Sequence, residues 1–120
     1  MTRILLAEDE DVLRMLIVDT LEDEGFQIDE AADGEEAEEL AKHSKYDLIL
    51  LDYMMPGKTG LEVIVSIREN EMNKQTNVMM LTAKSQQSDQ KAAMDAGANY
   101  FFTKPFSPME LAEKVREIVE

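Results

Sequence analysis

The chain has no cysteine, few basic residues and no apolar run long enough to span a bilayer. The first absence excludes disulfides, thiolate metal sites and cysteine nucleophiles. The last excludes a membrane-spanning helix, and with no leader-like segment before Ile4-Leu5-Leu6-Ala7 the expectation is a cytoplasmic protein. The basic deficit is large: 12 Lys and Arg stand against 26 Asp and Glu, for a net charge of −14. Such a surface repels phosphate backbones, which argues against direct nucleic-acid binding. The acidic runs Glu22-Asp23-Glu24 and Glu35, Glu36, Glu38 and Glu39 read as solvated helix faces. Repeats, low-complexity stretches and linkers are missing, and 120 residues suit one domain over 1–120.

What is present is alternation. Ile4–Ala7 reads as a buried strand, followed by a helix from Val12 to Glu24 with Leu13, Leu16, Ile17 and Leu21 at helical spacing. Gly25 stops it where a left-handed residue is wanted. Gln27–Ala31 is a weaker strand, and Asp33 with Glu36 caps a helix through Ala37, Leu40 and Ala41. Asp47–Leu51 is apolar almost throughout, as a central strand covered on both faces should be. A turn over Pro56–Gly60 precedes a helix carrying Leu61, Ile64, Val65 and Arg68, and Val78–Leu81 is another buried strand. A helix with Ala92, Ala93 and Ala96 ends at Gly97, Tyr100–Phe102 is a fifth strand, and Ser107-Pro108 opens a last helix with Leu111, Val115, Ile118 and Val119. Five strands alternating with five helices imply a doubly wound parallel α/β sheet.

Ligands of open α/β sheets sit beyond the carboxyl ends of the strands. The first strand ends in Glu8-Asp9, the third in Asp52 and the fourth in Thr82, while the fifth runs into Lys104. Singly, Lys104 reads equally well as a surface lysine and Thr82 as a helix cap. Together they place three carboxylates, a hydroxyl and an ammonium at one rim. Clustered carboxylates repel, and a hard divalent cation such as Mg2+ relieves that cost. A carboxylate can attack phosphorus to give an acyl phosphate. Lys104 and Thr82 would then neutralise and hydrogen-bond the phosphoryl oxygens, leaving Asp52, at the end of the central strand, as nucleophile.

Five segments carry a family resemblance: Ile4-Leu5-Leu6-Ala7-Glu8-Asp9-Glu10, Leu50-Leu51-Asp52-Tyr53-Met54-Met55-Pro56-Gly57, Leu81-Thr82-Ala83, Ala96-Gly97-Ala98 and Thr103-Lys104-Pro105-Phe106. In this order and spacing the chain resembles the receiver domain of bacterial two-component response regulators over its whole length. The resemblance implies a flavodoxin-like fold of sheet order 2-1-3-4-5 and phosphorylation of Asp52 by a histidine kinase or phosphotransfer protein. It also implies Mg2+, with Mn2+ as substitute, held by Asp9, Asp52 and the backbone carbonyl of Met54, with Glu8 acting through water. It further implies a cis Lys104–Pro105 peptide, and a switch in which Thr82 and Phe101 remodel the face of helix 4, strand 5 and helix 5 for a downstream partner. That partner is an effector protein or a C-terminal output domain, and the receiver is a monomer or a phosphorylation-dependent dimer.

Several positions depart from the family's common pattern. Phe101 stands where Tyr is commoner. Met54 and Lys84, two residues beyond Asp52 and Thr82, cannot orient an attacking water as an amide and a carboxylate would, so slow self-dephosphorylation is expected. Gln90 and Tyr100 lack the charges of the dimer face of winged-helix regulators, and Lys114 keeps only the charge of the usual Arg. His43 lies at the negative end of a helix dipole and is assigned no function. Met79 and Met80 read as core, while Met72 and Met109 are open to a partner surface. Two other readings compete. A Mg2+-dependent phosphohydrolase with an aspartyl nucleophile wants a second Asp where Met54 stands. A degenerate binding module would have lost site residues that are all present here.

Overall fold

Apolar runs flanked by polar residues form strands that other elements cover on both faces. Among the described residues there are five: β1 (Arg3–Ala7), β2 (Gln27–Ala31), β3 (Leu48–Asp52), β4 (Asn77–Ala83) and β5 (Tyr100–Lys104). Between and after them lie α1 (Asp11–Asp23), α2 (Gly34–His43), α3 (Gly60–Glu69), α4 (Gln90–Ala96) and α5 (Pro108–Val119). The computed structural model describes residues 1–83 and 90–120. Every strand pairing is parallel and the sheet order is β2-β1-β3-β4-β5, the expected flavodoxin-like arrangement.

β3 is buried at every position, as its unbroken apolar run requires, whereas β5 at the edge is half-buried throughout. Side chains alternate across each strand, so the sheet feeds two cores. Leu5, Ile49, Leu51 and Met80 pack with Ala37, Ile64 and Ala93 of α2, α3 and α4. Ile4, Leu6, Leu50 and Met79 pack with Ile17, Leu21, Leu111 and Val115 of α1 and α5. Met79 and Met80 are thus core, while Met72 and Met109 are exposed.

The helix ends follow local chemistry. Gly25 takes a φ of +92°, the left-handed conformation a side chain would disfavour. Asp33 accepts from the Glu36 amide at 2.8 Å, and Ser107 from the Glu110 amide at 3.1 Å with Pro108 opening α5. Two expectations need correction. Leu16 and Val65 are 47% and 44% exposed, because each sits one residue, about 100° of helix, away from the inward stripes through Ile17 and Ile64. The segment read as a turn up to Gly60 hides a helix start, where Thr59 and Glu62 form a reciprocal capping box. Arg68, also on α3, bonds to the main chain of distant segments. Its guanidinium donates to the carbonyls of Thr76 at 2.7 Å and Gly97 at 2.8 Å, tying α3 to the loops before β4 and β5.

Candidate functional site

The sheet order reverses between β1 and β3, so the loops after these strands part and leave a crevice at their carboxyl ends. Register brings the polar residues to one level. Ala7 lies opposite Leu51, Asp52 opposite Leu81, Thr82 opposite Thr103, and Ala83 opposite Lys104. Glu8, Asp9, Asp52, Thr82 and Lys104 therefore share one rim.

Lys104 is the hub. Its Nζ donates to Glu8 Oε1 at 2.8 Å and lies 3.2 Å from Asp52 Oδ2. The reading of Lys104 as an ordinary surface lysine is excluded by these contacts and by a side chain that is 22% exposed. Glu8 is fully buried and its other oxygen accepts the Glu10 amide at 3.1 Å. Both carboxylate oxygens of Glu8 are thus engaged within the protein, while Asp9 is exposed beside it. Asp52 is buried, and its carboxyl is pushed up to about 8, by desolvation first and by the Glu8 charge second, with Lys104 opposing. Burial works to lower the Lys104 ammonium, but the hydrogen bond to Glu8 and the charges of Asp52 and Glu8 outweigh it, and its pKa is raised. Thr82 is fully buried, and its Oγ1 has no hydrogen-bond partner among the described residues. A buried hydroxyl is costly to leave unpaired, so this donor is available to a group that enters the crevice.

The donor set fits a hard divalent cation. Oxygens of Glu8, Asp9 and Asp52 lie within 4.8 Å of one another, close enough for one ion. Desolvation does most to raise the Asp52 carboxyl, and the Glu8 charge adds a repulsion that such a cation would relieve. Met54 follows on the β3–α3 loop and is 54% exposed; the contribution the resemblance implies is that of its backbone carbonyl. Lys104–Pro105 is cis.

The remaining expectations fall elsewhere. Phe101 is half-buried against the core shared by α2, α3 and α4, while its neighbours Tyr100 and Phe102 face the other core. Lys114 sits over the Tyr100 ring at 5.4 Å, an intramolecular cation–π contact. Gln90 is the first described residue of α4, Lys84 lies outside the described residues, and His43 is exposed and bonded to Glu39 at 2.8 Å. Sequence reasoning passed over Arg14, whose Nη1 donates to the Glu8 carbonyl at 2.7 Å. It also passed over Lys58 on the β3–α3 loop, paired with Glu38 of α2 at 2.6 Å. A basic residue at i+3 from Asp11 was the only local signal for Arg14.

Comparison with known proteins gives the family and agrees with the fold. A family model described as the response regulator receiver domain matches residues 4–116. The transcriptional regulatory protein SrrA of Staphylococcus aureus is 41% identical over 116 residues, which cover 97% of this chain and 47% of that protein. The chain thus spans about half the length of the curated relatives it matches. Among solved structures, the chemotaxis protein CheY4 of Vibrio cholerae superposes with a TM-score of 0.92 at 30% identity, covering 98% of both chains. The receiver domain of a sensor histidine kinase from Pseudomonas aeruginosa gives 0.89 at 31%, covering 98% of this chain and 97% of that one; it holds a magnesium ion in its active-site cleft.

Proposed function

The chain belongs to the response regulator receiver domain family, and from that premise we propose that residues 1–120 form the phosphoacceptor domain of a cytoplasmic two-component pathway, with Asp52 as the acceptor. The observation that carries this reading is the pairing of the Asp52 carboxylate with Lys104 at 3.2 Å beside a buried Thr82 hydroxyl that has no partner among the described residues. A phosphoryl group on Asp52 would supply that partner.

In the proposed reaction an Asp52 oxygen attacks phosphorus as the bond to the donor breaks. With a phosphohistidine donor a P–N bond is exchanged for a P–O bond, and the departing imidazole nitrogen takes up a proton. Lys104 turns its ammonium from Glu8 and Asp52 to a phosphoryl oxygen, and Thr82 donates to another. Asp9, Asp52 and the Met54 carbonyl would hold Mg2+, with Glu8 acting through water and Mn2+ as a workable substitute. When bound, the ion supplies charge neutralisation at the phosphoryl oxygens. The domain promotes only its own phosphorylation and dephosphorylation. Movement of Thr82 toward the phosphoryl group, followed by Phe101, would alter the face formed by α4, β5 and α5. That change would be read by an effector protein or an output domain, as a monomer or as a phosphorylation-dependent dimer.

The test is intact mass after incubation with Mg2+ and a small acyl phosphate. One phosphate adduct is expected, lost in Asp52→Asn; an adduct that persists in Asp52→Asn, or none in the parent with donor or kinase, refutes the assignment. The apolar Met54 offers no group to orient a hydrolytic water, so the adduct is expected to outlast one formed by Met54→Asn. Equal decay of the two would remove Met54 from the account.

A further inference from the structure

One guanidinium joins three parts of the structure beside the acidic cluster. Arg14 Nη1 donates to the backbone carbonyl of Glu8 at 2.7 Å, Nη2 donates to Asp11 Oδ1 at 2.7 Å, and Nε lies 3.4 Å from Glu30 Oε1 on β2. The Arg14 side chain is 16% exposed, whereas Asp11 is 86% and Glu30 49% exposed. Ion pairs to such open carboxylates contribute little by themselves. The sheltered contact to the main chain is the one to Glu8.

That carbonyl belongs to the peptide joining Glu8 to Asp9. The rest of Glu8 is already fixed: its amide donates to Ala31 at 3.1 Å, and its carboxylate is shared between Lys104 and the Glu10 amide. With the carbonyl held as well, the Glu8–Asp9 peptide plane has one orientation, and the direction in which Asp9 leaves the chain follows from it. We infer that Arg14 is a positioning residue for the cation: by gripping the Glu8–Asp9 peptide it aims the Asp9 carboxylate at the place where Asp52 can share an ion. The inference rests on the proposed Mg2+ site and adds a residue to it.

Charge and geometry predict opposite signs here, which makes the idea testable. Arg14 is a cation near the place of a second cation, so simple Coulomb repulsion says that its removal should tighten Mg2+ binding. Loss of orientation says the reverse, because groups that orient metal ligands are worth about 10- to 100-fold in affinity. The experiment is calorimetric titration of the whole chain with Mg2+, comparing the parent with Arg14→Met and Arg14→Lys, with thermal unfolding recorded for each. Arg14→Met is expected to bind Mg2+ about 10-fold more weakly. Unchanged or tighter binding in a cooperatively folded Arg14→Met overturns the inference, and a lowered Tm with unchanged affinity marks a merely structural role. Should Arg14→Met fail to fold, Arg14→Lys decides. It keeps the charge but not the fork, so weaker binding supports orientation and parent-like affinity refutes it. Absence of saturable Mg2+ binding by the parent would instead refute the metal site itself.

Discussion

At Asp52, two demands oppose each other. A nucleophile must be ionised, yet this carboxyl is buried beside Glu8 and is pushed up to about 8, against an ordinary value of 3.8. In the absence of metal the folded chain therefore keeps a proton that the unfolded chain gives up. The resulting stability is fully present below the unfolded value and is lost as pH rises through the folded one. Asp52→Asn removes the titration. It is expected to stabilise the metal-free domain, with a gain that grows from pH about 4 to about 8 and then levels off. Lys104 loses a partner in the same variant, so a net gain of about 1–2 kcal/mol is expected above that window, or roughly 4–10 °C in Tm. Thermal unfolding across pH checks this, and a destabilised Asp52→Asn at every pH would contradict the electrostatic account. Burial and the Glu8 charge together weaken the fold at Asp52, and a cation at Asp9 and Asp52 would offset that charge, so stability is given up at the residue where binding needs charge.

Elements deliver that residue through close backbone approach. α3 begins against the end of β3, with the Gly60 amide donating to the Tyr53 carbonyl at 2.9 Å. A Cβ on Gly60 would lie 2.6 Å from the Asp52 carbonyl oxygen and 2.9 Å from Met80 Sδ. Gly60→Ala is therefore expected to cost about 1–3 kcal/mol in urea unfolding and also to slow phosphorylation, because the obstructed atom is the backbone of Asp52 itself. Normal phosphorylation in a destabilised Gly60→Ala would show that the loop absorbs the intrusion away from the site. This coupling had no signature in the sequence, where Pro56–Gly60 reads simply as a turn. The sequence was legible wherever one physical rule acted alone. Burial on both faces made β3 a continuous apolar run, Gly25 marked the end of α1, and polar residues closing four apolar strands marked the rim. It was less legible where two stripes overlap on one helix, as at Leu16 beside Ile17. It was silent where partners are main-chain carbonyls far along the chain, as for Arg68 with Gly97 and Arg14 with Glu8.

Across the whole molecule, the net charge of −14 sets the background against which a site-bound cation must be recognised. Self-repulsion of that size destabilises the compact state, so any salt should raise Tm by screening, and a rise with Mg2+ is by itself uninformative. The two effects separate by saturation and by residue. Screening of exposed charges follows ionic strength and is shared by monovalent salt. A single site instead stabilises by mass action, reaching about 2.7 kcal/mol at one hundred times the dissociation constant. At matched ionic strength, Mg2+ is accordingly expected to raise Tm above the level reached with NaCl, by roughly 5–15 °C at such saturation. In Asp9→Asn that excess should shrink, while the response to NaCl stays, because the net charge falls by only one of fourteen. Equal Tm curves for Mg2+ and NaCl in the parent would mean that the three carboxylates at the rim contribute no more than the acidic helix faces do. An excess that survives in Asp9→Asn would move the ion away from the crevice between β1 and β3.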